Sequence, residues 1–242
     1  MTDKETINAP EQPEKKRKLP AFAVVLIALA AVLALVFSLV YLMKPYQIEL
    51  GGQLVWSDAT ALDLRGRDIS DITPLAGLAK LRDLNLPDNQ ISDITPLAGL
   101  AKLQFLSLSE NRISDITSLS ALTDLQYLDL ADNQVSDITP LAKLTELQIL
   151  YLWNNQISDI APMTGLANLQ YLGLSENQIS DITPLAGLAK LRELSLSGNH
   201  ISDITPLKNL TNLVFLDLED NPLTQEQIDA LQKALPICTI TF

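Results

Sequence analysis

Seven aspartates recur at intervals of 22 residues, Asp71, Asp93, Asp115, Asp137, Asp159, Asp181 and Asp203, each within the tripeptide Ser-Asp-Ile. Two kinds of chemistry suit such a row. Stacked carboxylates can hold calcium, a hard cation that takes oxygen ligands. Alternatively, each aspartate can cap a short helical turn in the Thr-Pro-Leu or near variant that follows it, with Pro entering at an early position where its missing N–H does no harm. Capping accounts for the proline as well as the acid, so no metal site is expected; a large rise in melting temperature on adding calcium would reverse that preference. The other reactive groups are sparse: the chain has one His, His200, and one Cys, Cys238. They can build neither a Cys/His zinc site nor an iron–sulfur site, and a single Cys forms no internal disulfide. Cys238 reads as a small buried hydrophobe. His200 stands where other copies mostly carry Gln, as in Gln90 and Gln134, and no Ser/His/Asp or paired-carboxylate arrangement stands apart from the repeat. The chain is expected to be neither an enzyme nor the holder of a cofactor.

The aspartates are one column of a longer repeat. Ile-Ser-Asp-Ile-Thr-Pro-Leu-Ala-Gly-Leu-Ala-Lys-Leu occurs unchanged at residues 69–81, 91–103 and 179–191, with looser copies between. Leu84, Leu86 and Asn89 recur as Leu106, Leu108 and Asn111, and so on to Leu216, Leu218 and Asn221; an earlier incomplete copy has Leu62 and Leu64 but Arg67 at the asparagine position. That makes eight turns. Leu-x-x-Leu-x-Leu-x-x-Asn at this period is the leucine-rich repeat signature. Over about residues 58–235 the sequence resembles the bacterial internalin-like leucine-rich repeats, whose short repeat ends in the same Ile-x-Asp-Ile-x-Pro-Leu segment. The resemblance implies an α/β solenoid, a horseshoe with a concave parallel β-sheet and short 3-10 or irregular segments on the convex side, that binds another macromolecule. Internalin-type proteins are bacterial surface adhesins or invasins. The Leu-Pro-x-Thr-Gly tail that many of them carry does not occur here, which argues against a wall-linked role.

The residues support the same architecture without the family. Leu-x-Leu alternates with period two, as a half-buried strand requires, so Leu84 and Leu86 point one way and Asp83, Asn85 and Pro87 the other. No 22-residue turn can enclose its own leucines, so stability comes from neighbours covering each other. Asn89, Asn111, Asn133, Asn155, Asn177, Asn199 and Asn221 sit where the chain leaves the strand, and their amides are expected to satisfy buried backbone groups of the turn. Both ends need covers. Gly51-Gly52 between Gln47–Leu50 and Gln53–Trp56 is a candidate hairpin over the first repeat. At the other end Thr224 and Gln227 have capping-box spacing, Ile228, Leu231 and Leu235 repeat at helical intervals before Pro236, and 237–242 alternates like a final strand.

Function must lie in what varies between copies. Three outward columns run Ala61, Asp83, Phe105, Tyr127, Ile149, Tyr171, Glu193, Phe215, then Asp63, Asn85, Ser107, Asp129, Tyr151, Gly173, Ser195, Asp217, then Arg65, Pro87, Ser109, Ala131, Trp153, Ser175, Ser197, Glu219. Of the twelve aromatics, Phe105, Tyr127, Tyr151, Trp153, Tyr171 and Phe215 fall in these columns, most tightly from Phe105 to Tyr171. Rings that avoid the core and gather on a solvent-facing sheet make a binding patch. The competing reading is that cross-strand ring pairs only stiffen the sheet, at about 0.2–1 kcal/mol each. Beyond Tyr46 there are 11 Lys and Arg against 25 Asp and Glu, a net charge of −14, with Asp88, Glu110, Asp132, Glu176 and Asp220 along the rim. The expected partner is a protein or peptide with basic residues around an apolar centre; nucleic acid, itself anionic, is excluded. The alternative is a structural envelope protein or spacer without a specific ligand.

The first 44 residues are of another kind. Residues 1–18 are polar and end in Lys15, Lys16, Arg17 and Lys18, whereas 19–43 carry no charge. At about 1.5 Å per residue this apolar run exceeds a hydrocarbon core of about 30 Å, so it is expected to cross the membrane once, as a passive anchor. The basic flank places the N-terminus in the cytoplasm and the repeats outside it, in the periplasm or at the cell surface. A cleavable signal peptide is the rival, but 37–43 offers no small-x-small site; an inverted topology would give a cytoplasmic partner. The expected organisation is a cytoplasmic tail (1–18), a transmembrane helix (19–43), a spacer and N-terminal cap (44–57), a solenoid of about eight repeats (58–223) and a C-terminal cap of helix plus strand (224–242).

Overall fold

The computed structural model describes residues 45–242, which form one compact unit. The expected tail and span at 1–18 and 19–43 lie outside the described residues, and among those described no helix is long and apolar enough to cross a membrane. A hairpin comes first, β1 (Gln47–Leu50) and β2 (Gln53–Trp56). Eight three-residue strands follow at intervals of 22: β3 (Ala61–Asp63), β4 (Asp83–Asn85), β5 (Phe105–Ser107), β6 (Tyr127–Asp129), β7 (Ile149–Tyr151), β8 (Tyr171–Gly173), β9 (Glu193–Ser195) and β10 (Phe215–Asp217). They lie in parallel in chain order, and β11 (Thr239–Thr241) from the C-terminal cap adds a ninth strand beside β10. Register equals the repeat, so Leu84 faces Leu106, Leu106 faces Leu128, and Leu128 faces Leu150.

Each turn of the chain inserts a stack of apolar side chains into a core shared with its neighbours. In one copy Leu106, Leu108, Ile113, Ile116, Leu119, Leu122 and Leu125 are all at most 1% exposed. Burying such a side chain contributes about 1.5–3 kcal/mol, and only the adjacent turns provide the cover. The side opposite the sheet is a row of 3-10 turns, among them Thr73–Gly77, Thr139–Lys143 and Thr183–Gly187.

The aspartate row serves these turns, from a position one residue earlier than a formal N-cap. The N-cap residue is the isoleucine, as at Ile72, and makes no side-chain bond. Asp71 Oδ1 instead accepts the Thr73 amide at 2.8 Å, and Asp93, Asp115, Asp137, Asp159, Asp181 and Asp203 accept the amide two residues on at the same distance. Where Ser118 replaces the proline, its hydroxyl donates to the Ile94 carbonyl at 3.1 Å. Among the described residues no three His, Cys, Asp or Glu side chains are grouped to hold a metal ion.

The asparagines form a ladder between turns. Asn111 Oδ1 accepts the Ile91 amide at 2.9 Å, and its Nδ2 donates to the carbonyls of Leu86, Leu108 and Ser109 at 3.0, 3.0 and 3.1 Å. One side chain thus satisfies buried backbone groups of two successive copies, and Asn155 does the same for Val135, Leu130, Leu152 and Trp153. In the first copy Arg67 replaces the asparagine, and its guanidinium donates to the Gly51 carbonyl of the hairpin at 3.2 Å. Gly51 and Gly52 have φ of 55° and 72°, the two left-handed positions of a two-residue hairpin turn. A Cβ on Gly51 would also stand 2.7 Å from Ile69 Cδ1, so the close approach of the hairpin to the first repeat needs glycine there.

The C-terminal cap has the expected parts with shorter bounds. Thr224 and Gln227 form a reciprocal capping box for the helix Gln225–Ala234, which buries Ile228 and Leu231. The final strand is confined to Thr239–Thr241, and Ile237 is left 69% exposed, because Pro236 follows the helix end and the chain must turn before it can pair with β10. Cys238 is buried, which pushes its thiol pKa up and keeps it in the inert thiol form.

Candidate protein-binding face

The short strands present the three columns on the face of the sheet away from the leucines. Their fate is less uniform than alternation implies. Ser107 is 4% and Ala131 0% exposed, and Pro87, Ser109 and Gly173 are also buried. Strands about 4.8 Å apart leave little room beside a ring, so a large side chain can lean over a small neighbour. Gly173 shows this directly, since a Cβ there would meet Tyr151 Cδ1 at 3.1 Å and Trp153 Cδ1 at 3.3 Å. The rings of Tyr151 on β7 and Trp153 two residues further on therefore lie against the bare backbone of β8.

Of the six rings, Phe105, Tyr127, Tyr151 and Tyr171 are half-buried, while Trp153 is 40% and Phe215 37% exposed. Phe105 stacks on Tyr127, with centroids 4.1 Å apart and planes 11° from parallel. Tyr127 meets Tyr151 edge to face at 6.0 Å and 84°. Ile149 stands between Tyr127 and Tyr171 in register and joins the patch. Five of the rings thus belong to one patch over β5–β8. Phe215 is not part of it, because Glu193 on β9 stands between Phe215 and Tyr171.

Electrostatics distinguish this face from the turns behind it. Burial, the charge of Asp129 and the neighbouring Tyr151 push the Tyr127 phenol up to about 12, against a smaller opposing effect of Arg65. Burial also raises Tyr151, with Glu193, Asp129 and Tyr171 adding to it. Asp129, an acid among the rings, lies on β6 between Tyr127 and Ala131 in sequence and directly opposite Tyr151. Its carboxyl is raised by burial, although the Ala131 amide and the hydroxyls of Ser109 and Ser107 act in the other direction. On the turn side the sign reverses: the threonine hydroxyl and amide hold Asp71, Asp115, Asp137, Asp181 and Asp203 below the usual carboxylate range, and the Thr95 amide then hydroxyl do so for Asp93.

At the rim, Asp88, Glu110, Asp132, Glu176 and Asp220 precede ladder asparagines with φ between 52° and 55°. The ladder requires the left-handed backbone, and the acids occupy it although glycine, as at Gly198 (φ 62°), does so without strain.

A leucine-rich repeat family model matches residues 145–201, and a model of two leucine-rich repeat copies matches 101–143 and 189–233. Among solved structures, internalin C2 of Listeria monocytogenes is 40% identical, with a TM-score of 0.72 over 78% of this chain and 86% of that one. Internalin InlF of the same organism is 30% identical, with a TM-score of 0.51 over 78% and 69%. The plant peptide hormone receptor RGFR1, solved in complex with RGF2, is 20% identical with a TM-score of 0.62 over 77% and 36%, a likeness of fold alone. No curated protein matches the chain.

Proposed function

Because the chain belongs to the leucine-rich repeat family, in its internalin-like form, we propose that it is a membrane-tethered binding module that grips a protein or peptide with the sheet face of its solenoid. Leucine-rich repeat proteins generally act by binding other proteins. The observation that carries the proposal for this chain is the patch of five rings over β5–β8, on a face where the leucine core makes no demand for them. Tyr and Trp dominate interface hot spots because they bring large contact area at little entropic cost. The net charge of −14 beyond Tyr46 steers a basic partner towards this surface and away from nucleic acid.

The tether is the uncharged run 19–43, with four basic residues before it holding the N-terminus in the cytoplasm and the repeats outside. Two measurements test the reading. Replacing Tyr151 and Trp153 by Ala in the unit from Pro45 onward should abolish partner capture with little change in melting temperature. A reporter fused at Phe242 should be active only outside the cytoplasm; activity inside reverses the topology. The stacking of Phe105 on Tyr127 favours a second reading, a stiffened structural spacer in the envelope. Reversible oligomers by light scattering, undisturbed by the same truncations, would favour that one.

A further inference from the structure

Asp129 differs from the aspartates that share its column. Asp63 Oδ1 accepts the Arg65 amide at 3.2 Å, Asp217 Oδ1 accepts the Glu219 amide at 3.1 Å, and Asp129 Oδ1 accepts the Ala131 amide at 3.1 Å. This shared local turn explains why aspartate suits the position. It does not explain what surrounds Asp129. Asp63 and Asp217 lie towards the two ends of the sheet, whereas Asp129 lies in its middle, with Tyr127 two residues earlier on its own strand and Tyr151 opposite. Like Asp63, which accepts Asn85 Nδ2 at 3.0 Å, and Asp217, which accepts the Thr241 hydroxyl at 3.0 Å, Asp129 takes a side chain from an adjacent strand. That partner is the Ser107 hydroxyl at 3.3 Å, long for a bond to a carboxylate. With the Ser109 hydroxyl also acting on it, room remains among the bonds, about four at the upper limit, that its two oxygens can accept.

We propose that Asp129, between Tyr127 and Tyr151, is the seat for an arginine side chain of the partner, and this rests on the sheet face being the binding face. The two rings meet at 84°, so they form a corner rather than a closed stack, and Asp129 lies two residues along the strand from Tyr127 and opposite Tyr151. Phe105, stacked on Tyr127, holds that wall in place before the partner arrives. A planar guanidinium can lie along a ring while its fork of N–H groups reaches the carboxylate, which a lysine ammonium cannot do. The neighbouring charges fit a cation: Asp132 acts on Asp129 and Glu193 on Tyr151, while Arg65 is a cation whose field reaches Tyr127. Burial already disfavours the lone charge of Asp129, and an incoming guanidinium relieves that penalty. A metal ion is the poorer occupant, since the described residues group no three acidic or imidazole ligands.

The test uses the full chain in non-ionic detergent and fluorescein-labelled hexa-arginine, followed by anisotropy at physiological salt. Asp129→Asn should weaken binding about tenfold or more, whereas Asp124→Asn, which removes the same charge from an exposed position on the turn side, should change it less than about twofold. Hexa-lysine should bind more weakly than hexa-arginine. Equal losses in the two variants, equal affinity for the two peptides, or no binding overturns the seat. Loss with Tyr151→Ala but not with Asp129→Asn also overturns it and leaves the ring face standing; loss with neither removes both. The wild-type chain gives a check independent of any variant: the carbon-13 signal of the Asp129 carboxyl should titrate at lower pH when hexa-arginine is bound, and an unmoved titration counts against the seat.

Discussion

The two faces of the solenoid use one repeat for opposite ends. On the turn side the same thirteen-residue phrase is written three times without change, every aspartate makes the same 2.8 Å bond, and its Thr-paired carboxylates are held ionised. On the sheet face no two neighbouring copies carry the same three outward residues, the rings touch across strands, and Asp129 is pushed towards its neutral form. Uniformity where the turns must stack and variety where they need not ties the core and the caps to the fold and leaves the outward columns free to differ from copy to copy.

The contrast can be broken most severely at its shared foundation. Leu150→Ala, at a fully buried site, should cost about 2–5 kcal/mol. Asn155→Ala, which strips partners from the backbone of two copies, should cost about 3 kcal/mol. Urea unfolding measures both, and a loss under about 1 kcal/mol at either would show that the stack does not depend on it. The next effect lies on the other face. Each of Tyr151→Ala and Trp153→Ala should remove about 2 kcal/mol of partner affinity, seen as a fall in captured partner, and no more than about 1 kcal/mol of stability. The opposite split would make the rings a brace.

A smaller effect, of opposite sign, is expected at the rim. Glu176 is held at φ 55°, so Glu176→Gly should raise stability by up to about 1 kcal/mol in thermal melts, since Gly198 fills the equivalent place in the next copy. The subtlest distinction is pH. The turn-side carboxylates have lowered folded pKa values, so what they add to stability is present above about pH 4 and is lost as pH falls through those lowered values. Asp129, with a raised value, acts the other way: its ionisation works against the fold as pH rises from about 4. The melting temperature should therefore fall below about pH 4 in the wild type, and Asp129→Asn should steepen that fall by removing a group that favours acid.

Much of this was legible before any coordinates. Leucines at every 22nd position required a parallel sheet in register, the asparagines required backbone partners, and Gly51-Gly52 required a turn. The column of rings was visible as well, apart from the separation of Phe215 from the rest by Glu193. What alternation could not convey was the burial of Ser107, Ala131 and Gly173 in columns read as outward, and at Gly173 the covering atoms come from the rings of Tyr151 and Trp153 in the preceding copy. Asp129 has a place in the second outward column, but as one acid among 29 its type says nothing until its neighbours are known.

The period of the sequence determined the stack, since a repeat that cannot bury its own leucines has one way of covering them and the copies are in register by construction. The tertiary structure alone decided which outward side chains touch, which lean over a smaller neighbour and which carboxylate loses its water. Those outcomes depend on contacts between residues 20 or more positions apart, and on side-chain directions that a one-dimensional pattern of apolar and polar residues does not contain.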